Sequence, residues 1–128
     1  MRALAKASRL ALMGFDVDGV MTDGTLYFGP QGDEIKAFSS LDGHGLKLLM
    51  AAGIEVIIIS GRRSRALELR AENLGVSELH MGVQDKLGTL QSVLALCQTS
   101  SPKRRYGSGN AGGLLVLYYL DMVHNVAV

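Results

Sequence analysis

An apolar run near the start of the chain stops abruptly at two aspartates. Residues 10–15 are Leu, Ala, Leu, Met, Gly and Phe, and Asp16 and Asp18 follow, with Gly19 next. An apolar run of this length bounded by turn formers predicts a buried strand, although a helical segment shares the pattern. Alternate side chains of a strand share a face, so Asp16 and Asp18 would lie together. Two carboxylates at a buried strand end require a cation, hydrogen bonds or a shared proton, unless they only cap a turn.

Composition excludes several classes of function. The chain has 128 residues, 48% of them hydrophobic and 20% charged, with a formal net charge of +1. This length predicts a single domain over residues 1–128. The balanced charge gives no electrostatic case for nucleic acid or a membrane as partner, and the longest apolar stretch, residues 114–120, is too short to cross a bilayer. Since the first residues do not form a secretory signal and the one cysteine, Cys97, has no partner for an internal disulfide, we expect a cytoplasmic protein.

A turn-rich loop separates two short segments that follow the aspartates. Residues 29–33 are Gly, Pro, Gln, Gly and Asp, and residues 25–28 and 34–38 flank them with alternating side chains. This pattern predicts a β-hairpin with one apolar face. An isolated hairpin is marginally stable in water, so we expect this one to pack on the domain or on another subunit.

The remainder of the chain alternates between strand and helix patterns. Residues 54–61 are nearly all β-branched and predict a buried parallel strand, and residues 78–83 predict a weaker one. Three helices are predicted from their apolar spacing and end signals: one between Asp42 as N-cap and Gly53 as C-cap, one from about Ser64 to Leu74 closed by Gly75, and one that opens at Asp85 and Lys86. Residues 114–120 fit a helix or a strand, and residues 123–128 a last short strand. The alternation predicts an α/β fold with a parallel sheet covered by helices on both sides.

Polar residues follow three of the predicted strands. Asp16 and Asp18 end the first, Ser60 and Arg62 end the second, and Lys86 follows the third. Ligands bind at the carboxyl ends of strands in open parallel sheets. A carboxylate nucleophile, a hydroxyl and an ammonium at one edge suit a phosphoryl group. Taken singly, Ser60 also fits a helix cap and Lys86 a surface lysine, but their order and strand context together favour a phosphoryl-transfer site.

Residues 15–24, Phe-Asp-Val-Asp-Gly-Val-Met-Thr-Asp-Gly, resemble the first motif of the haloacid dehalogenase superfamily of phosphohydrolases. The hairpin and residues 38–45, 60–62 and 82–86 resemble one branch of it, the small capless 3-deoxy-D-manno-octulosonate 8-phosphate phosphatases. The resemblance extends from about residue 10 to residue 97. It implies a Rossmann-like sheet with a hairpin inserted after the first strand. It also implies a Mg²⁺-dependent phosphomonoesterase that acts on a small phosphorylated sugar acid in lipopolysaccharide biosynthesis.

The resemblance also assigns roles to residues of this chain. Asp16 is expected to be the nucleophile that forms an aspartyl-phosphate, and Asp18 the general acid and then the base. Ser60 and Lys86 would hold the phosphate. Mg²⁺ would bind the Asp16 carboxylate, the backbone carbonyl of Asp18 and the phosphate. The resemblance further implies a homotetramer assembled through the hairpin, in which a neighbouring subunit closes the site in place of a cap. Substrate contacts are expected from Thr22, Asp42, Gly43, His44 and Arg62.

The resemblance fails at the fourth motif of the family. That motif, Gly-Asp-Asp or Gly-Asn-Asp with a further Asp three residues on, would fall near residues 109–111, which are Gly, Asn and Ala. Asn110 is the one residue there that offers a side-chain oxygen to a metal, and Asp121 lies too far along the chain to occupy the motif directly. Three explanations of the missing motif remain open. The chain after about residue 98 is diverged, it is the product of a truncation or frame shift, or another acid completes the metal site. The loss of a metal carboxylate favours an impaired enzyme, because even outer groups of a metal site contribute about 10–100-fold.

A non-catalytic subunit that keeps the fold and the oligomer interface is the main alternative function. Two other reactions of the superfamily fit less well. A dehalogenase has no need of acid–base chemistry at Asp18, and a phosphomutase needs a cap domain, whereas the segment between Asp18 and Ser60 accommodates only a hairpin and a helix.

Overall fold

A computed structural model describes the backbone of residues 10–100 and 114–118 and the side chains of residues 12–96. Within these ranges the chain forms six strands and three helices, which in chain order are β1 (Leu10–Phe15), β2 (Tyr27–Phe28), β3 (Glu34–Ile35), α1 (Ser40–Ala51), β4 (Glu55–Ile59), α2 (Arg65–Leu74), β5 (Glu78–His80), α3 (Lys86–Ser100) and β6 (Leu114–Tyr118).

Four of the strands form one parallel sheet. Its order is β5-β4-β1-β6, and each neighbouring pair is parallel. Phe15 pairs with Ile58, and Ile59 pairs with His80, so β1, β4 and β5 end at the same edge of the sheet. The predicted α/β fold is confirmed. β6 pairs with β1, so residues 114–118 form a strand and not a helix.

The sheet has a hydrophobic core on each face. Val56 and Ile58 of β4 pack into a cluster with buried residues of α1 and α2, among them Leu46 and Leu67. Ile57 and Ile59 point the other way, into a second cluster that contains Leu90 of α3 and its neighbour Val93. Both faces of β4 are covered, which explains why its residues after Glu55 are all apolar and buried.

The helix ends differ from the sequence prediction at both caps of α1. α1 begins at Ser40 with Ser39 as its N-cap, whose hydroxyl accepts a hydrogen bond from Asp42 N at 3.3 Å. Asp42 therefore lies in the first turn, where the negative charge of a carboxylate interacts favourably with the helix dipole. Its prediction as the N-cap is wrong. The C-cap is Ala52, so the prediction of Gly53 as the C-cap is wrong by one residue, and Gly53 follows the cap with φ +83°. For α2 the predicted end at Gly75 agrees with the structure, where Gly75 is a left-handed C-cap. The helix begins at Arg65, and Ser64, predicted as about its first residue, is its N-cap and accepts a hydrogen bond from Leu67 N.

The hairpin is shorter than predicted and is oriented differently. β2 and β3 pair over two residues each, around a turn in which Gly29 N donates to Asp33 O at 2.6 Å. Leu26, Tyr27, Phe28 and Ile35 are exposed, whereas the side chains of Glu34 and Lys36 point inward and are largely buried. Phe38, the last residue of the predicted second segment, packs against the core. The apolar face that the alternation predicts does not pack on the described residues of the domain, because ion pairs attach the hairpin there instead.

Two sequence predictions lie outside the described residues: the metal ligand Asn110 and the strand at residues 123–128. Among the helices that the structure describes, none has both the length and the apolar character that a membrane span requires.

Candidate active site

A tight turn follows β1 and carries both aspartates of the first motif. The carbonyl of buried Val17 accepts hydrogen bonds from the backbone N–H groups of Val20, Met21 and Thr22 at 2.9–3.1 Å. The Thr22 hydroxyl then accepts from the N–H groups of Gly19 and Gly24 at 3.3 and 3.2 Å. None of these bonds uses the carbonyl of Asp18. The turn is thus held from within, and both Gly19 and Gly24 adopt positive φ angles that other residues rarely take.

Asp16 lies at the exit of β1 and is paired with Lys86. Its Oδ1 accepts from Val17 N at 2.8 Å and lies 3.1 Å from the ammonium of Lys86, the first residue of α3. The Asp16 side chain is only 12% exposed and that of Lys86 26%. The sheet therefore brings the predicted nucleophile and the predicted phosphate-binding lysine into contact at its carboxyl edge.

Ser60 occupies the same edge, directly after β4. Its N–H donates to His80 O at 2.8 Å and its carbonyl accepts from Val83 N at 3.0 Å, so the backbone is fixed to the segment that leaves β5. Its side chain is buried, and its hydroxyl accepts from Arg62 N at 3.2 Å. Ser64, and not Ser60, caps α2, so the helix-cap interpretation of Ser60 is wrong.

A network of ion pairs connects Asp18 to the hairpin. Lys36 donates to Asp18 Oδ1 at 2.6 Å and also pairs with Glu34. Arg62 Nη2 donates to Glu34 Oε2 at 3.0 Å, and its Nε lies 4.0 Å from Asp18 Oδ2. Two cations and two carboxylates thus alternate within one cluster. Such pairing is needed here because the Lys36 side chain is only 3% exposed.

The network shifts the pKa values of three of its members. The hydrogen bond from Lys36, aided by that from Arg62, lowers the pKa of Glu34, although burial opposes the shift. Burial alone would lower the pKa of Lys36, but the hydrogen bonds to Asp18 and Glu34 together raise it above its ordinary value. The bond to Glu34 likewise raises the pKa of Arg62. All three groups are therefore held in their charged forms.

Glu34 and Lys36 join the site although no motif of the sequence predicted them there. The signal was present in the alternation of the second hairpin segment. Glu34 and Lys36 stand two residues apart and share a face, opposite the exposed Ile35. Two charges on the covered face of a strand indicate ionic partners elsewhere in the fold.

The structure places the five predicted substrate contacts in different surroundings. Thr22 and Asp42 line one open cavity of about 390 Å³ beside the turn, together with Phe38. Arg62 belongs to the ion-pair network, and His44 is exposed on α1. Gly43 is buried where α1 meets Arg70 of α2.

The turn after β1 carries oxygen atoms of the kind that bind Mg²⁺. The Asp16 carboxylate and the Asp18 carbonyl are hard donors of the type that Mg²⁺ selects, and Mg²⁺ commonly keeps several waters beside one or two carboxylates. Within the part of the chain that the structure describes, no group of three or more His, Cys, Asp or Glu side chains is arranged for a metal. The described donors therefore fit a Mg²⁺ ion that completes its shell with water, substrate or residues beyond these ranges.

Comparison with known proteins identifies the relatives of this fold, although no family model matches the chain. The chain is 43% identical over 103 residues to the Yersinia pestis 3-deoxy-D-manno-octulosonate 8-phosphate phosphatase KdsC, covering 80% of this chain and 55% of the relative. It is 41% identical over 91 residues to KdsC of Escherichia coli K12, covering 71% of this chain and 48% of the relative. The chain thus spans about half the length of the curated relatives that it matches.

Solved structures give the same result. A crystal structure of the Yersinia pestis phosphatase matches with a TM-score of 0.72 and 45% identity, over 74% of this chain and 51% of that one. The Moraxella catarrhalis phosphatase, in complex with magnesium, phosphate and KDO, matches with a TM-score of 0.73 and 37% identity, over 76% of this chain and 56% of that one. The chain is therefore a homologue of the KdsC phosphatases of the haloacid dehalogenase superfamily and shares their fold over the matched half.

Proposed function

We propose that this chain carries the phosphoryl-transfer site of a Mg²⁺-dependent phosphomonoesterase whose substrate is 3-deoxy-D-manno-octulosonate 8-phosphate. The contact between Asp16 and Lys86, 3.1 Å apart at the carboxyl edge of the sheet, carries the proposal. It joins a potential nucleophile to a cation that can neutralise a phosphoryl oxygen. Relatives at 40–43% identity are phosphatases for this substrate, and one solved neighbour holds magnesium, phosphate and KDO.

The proposed reaction has two steps that use the same pair of aspartates. In the first, a carboxylate oxygen of Asp16 attacks phosphorus, the ester P–O bond breaks, and the leaving alkoxide takes a proton from Asp18. In the second, water attacks the phosphorus of the aspartyl-phosphate while Asp18 accepts a proton from that water. Inorganic phosphate leaves and the Asp16 carboxylate is restored. The i, i+2 spacing and the tight turn support this division of roles, since both carboxyls leave one short segment.

Ser60 and Lys86 are the proposed phosphate ligands. Ser60 is buried at the end of β4 with its backbone bonded on both sides, which gives its hydroxyl a fixed position. Lys86 is partly exposed and thus able to turn from Asp16 toward an incoming phosphoryl oxygen. One buried hydroxyl and one partly exposed cation suit a group whose charge spreads over three equatorial oxygens.

Mg²⁺ is the proposed cofactor, held by the Asp16 carboxylate and the Asp18 backbone carbonyl, with Asn110 as a further candidate ligand. When bound, it would offset the repulsion between the phosphate and the Asp16 carboxylate. The residues of this chain would then orient the phosphate and move the proton.

The rim of the site offers contacts for a sugar acid. Thr22 and Asp42 line the open cavity beside the turn, and His44 lies further along α1. Arg62 suits the substrate carboxylate, because its guanidinium is only partly covered by Glu34 and Asp18.

We also propose that the hairpin forms a homotetramer and that the protein acts in the cytoplasm. Four apolar side chains of the hairpin are exposed, and Phe28 is the most exposed of them at 60%. Such a cluster fits a surface that another copy covers. Phe28→Ser should then lower the mass measured by light scattering to that of a smaller species, while Leu41→Ser, an equally drastic change at an exposed leucine of α1, should leave it unchanged.

Two measurements test the proposed function. Phosphate release from the sugar-acid phosphate, with Mg²⁺ present, should be abolished by Asp16→Asn and retained in Asp33→Asn, a matched change in the hairpin turn. Beryllofluoride should bind the wild-type chain with Mg²⁺ and fail to bind Asp16→Asn. A wild-type chain that neither binds beryllofluoride nor releases phosphate would contradict the proposal.

The second candidate function is a non-catalytic subunit, and the sequence at the fourth motif favours it. Ala111 stands where both forms of the motif have an acid, and Asn110 matches only the Gly-Asn-Asp form. A chain of this kind would assemble through the hairpin and would bind no phosphate mimic. Turnover that depends strongly on excess Mg²⁺ would instead indicate an impaired enzyme.

A further inference from the structure

The ammonium of Lys36 joins the hairpin to the carboxylate of Asp18. The Nζ–Oδ1 distance is 2.6 Å, and the Lys36 side chain is 3% exposed. On its other side the ammonium pairs with Glu34, which Arg62 holds through a bond of 3.0 Å. Lys36 thus lies between two carboxylates, one in the hairpin and one in the turn after β1.

The contact with Lys36 restrains the Asp18 side chain, which the hydrogen bonds within the turn do not hold. The bonds to the Val17 carbonyl and the Thr22 hydroxyl fix the main chain, but the Asp18 carboxylate still has rotational freedom of its own. Lys36 makes a short hydrogen bond to this carboxylate, whereas Arg62 stands at 4.0 Å, beyond hydrogen-bond distance. Lys36 is therefore the stronger restraint on the direction of this side chain.

Stability alone does not explain why a lysine occupies this buried position. A buried ion pair is often no more stabilising than a well-packed apolar residue of similar volume. The apolar side chains of the hairpin face outward, yet its inward positions hold Glu34 and Lys36. Burial of the Lys36 ammonium costs free energy, and its bond to Asp18 indicates that the direction of that carboxylate is what the lysine serves.

We propose that Lys36 is a positioning residue: anchored by Glu34, it holds the Asp18 carboxyl group in the direction from which proton transfer to the leaving group takes place. This inference rests on the proposed function, because it concerns the residue that acts as acid and base there. It makes the hairpin a part of the catalytic machinery through Glu34 and Lys36.

The test compares two leaving groups. An alkoxide leaves only with a proton from Asp18, whereas p-nitrophenolate is stable enough to leave without one. Lys36→Met should therefore lower turnover of the sugar-acid phosphate by about 10–100-fold, the size expected for a misplaced catalytic group. The same variant should leave the first-turnover release of p-nitrophenolate near the wild-type rate. Lys36→Arg should restore part of the lost turnover, and Lys47→Met, which removes an exposed lysine of α1, should resemble the wild type.

A second readout is independent of activity. In protein labelled with ¹³C at the aspartate carboxyls, Asp18→Asn identifies the Asp18 resonance, and Lys36→Met should shift it while Lys47→Met does not. Urea unfolding of each variant verifies that the compared proteins are folded. A Lys36→Met protein that loses activity equally on both substrates, or whose Asp18 resonance is unmoved, overturns the inference. If the wild-type chain cleaves neither substrate and binds no beryllofluoride, the proposed function fails, and the resonance of Asp18 still decides whether Lys36 holds it.

Discussion

The ammonium of Lys86, at the first residue of α3, lies 3.1 Å from Oδ1 of Asp16, which follows the last residue of β1. The two residues are far apart in the chain, and the parallel sheet brings them together. This contact joins the first and third polar strand ends of the sequence pattern, and Ser60 lies at the end of the strand between them.

Replacing Lys86 should weaken phosphate binding much more than folding. In Lys86→Met, affinity for beryllofluoride with Mg²⁺ should fall by about 10–100-fold, because a hydrogen bond to a charged group contributes about 1.5–3 kcal/mol. The free energy of unfolding should change by about 1 kcal/mol or less, since partly exposed ion pairs contribute little. Calorimetry and urea unfolding measure the two quantities, with Lys47→Met as the control. Unchanged affinity in Lys86→Met would exclude Lys86 as a phosphate ligand.

Two buried serines four positions apart should respond differently to alanine. Ser60 and Ser64 are both buried, but Ser64 caps α2 whereas Ser60 faces the strand-end edge. Ser64→Ala should lower the free energy of unfolding by about 1 kcal/mol and leave beryllofluoride affinity unchanged. Ser60→Ala should lower that affinity by about 10-fold, in line with the loss of one hydrogen bond. Equal affinities in the two variants would remove Ser60 from the site.

Two glycines of α1 should have opposite effects on stability. A Cβ at Gly43 would lie 2.2 Å from Arg70 Nη2 and 3.1 Å from Leu74 Cδ2, whereas a Cβ at Gly45 meets nothing within 4 Å. Gly45→Ala should stabilise the protein by about 0.5–1 kcal/mol, the usual gain inside a helix.

Gly43→Ala should instead destabilise the protein by about 1 kcal/mol, because Arg70 must leave its 3.1 Å hydrogen bond to Ser39 O and its position over the Phe38 ring. Thermal or urea unfolding compares the variants. In an Arg70→Ala background the penalty at Gly43 should be reduced, and a penalty of the same size there would assign it to another contact.

The ion pairs of Glu34 should make stability depend on acid pH. The pKa of Glu34 lies below its ordinary value of 4.5, chiefly through its hydrogen bond with Lys36. Its stabilising contribution is therefore present above that ordinary value and is lost as the pH falls through the lower pKa of the folded state.

The free energy of unfolding should thus decline with acid below about pH 4.5, and Glu34→Gln should reduce the slope. Glu68→Gln, which removes an exposed carboxylate of α2, is the control and should preserve the slope. An identical acid profile in Glu34→Gln and the wild type would show that the network contributes nothing there.

The sequence predicted the elements whose signals are local. The β-branched run of β4, the end of α2 at Gly75 and the loop of the hairpin all agree with the structure, because each depends on neighbouring residues. Asp42 and Ser39 are both good N-cap residues, and the sequence alone does not distinguish them. The glycines at positions 43 and 45 weaken the helix signal at the start of α1, so the prediction placed the cap three residues too late.

The sequence by itself determined the strand-end chemistry: aspartates after β1, a hydroxyl after β4 and an amine at the start of α3. Parallel strands place their carboxyl ends at one edge, so this order was enough to anticipate a shared site. Only the tertiary structure decided that Lys36 bonds Asp18 and that Glu34 and Arg62 complete the network. Those contacts join a hairpin, a turn and a loop whose relative positions depend on packing, and no local pattern of residues encodes which buried charges will meet.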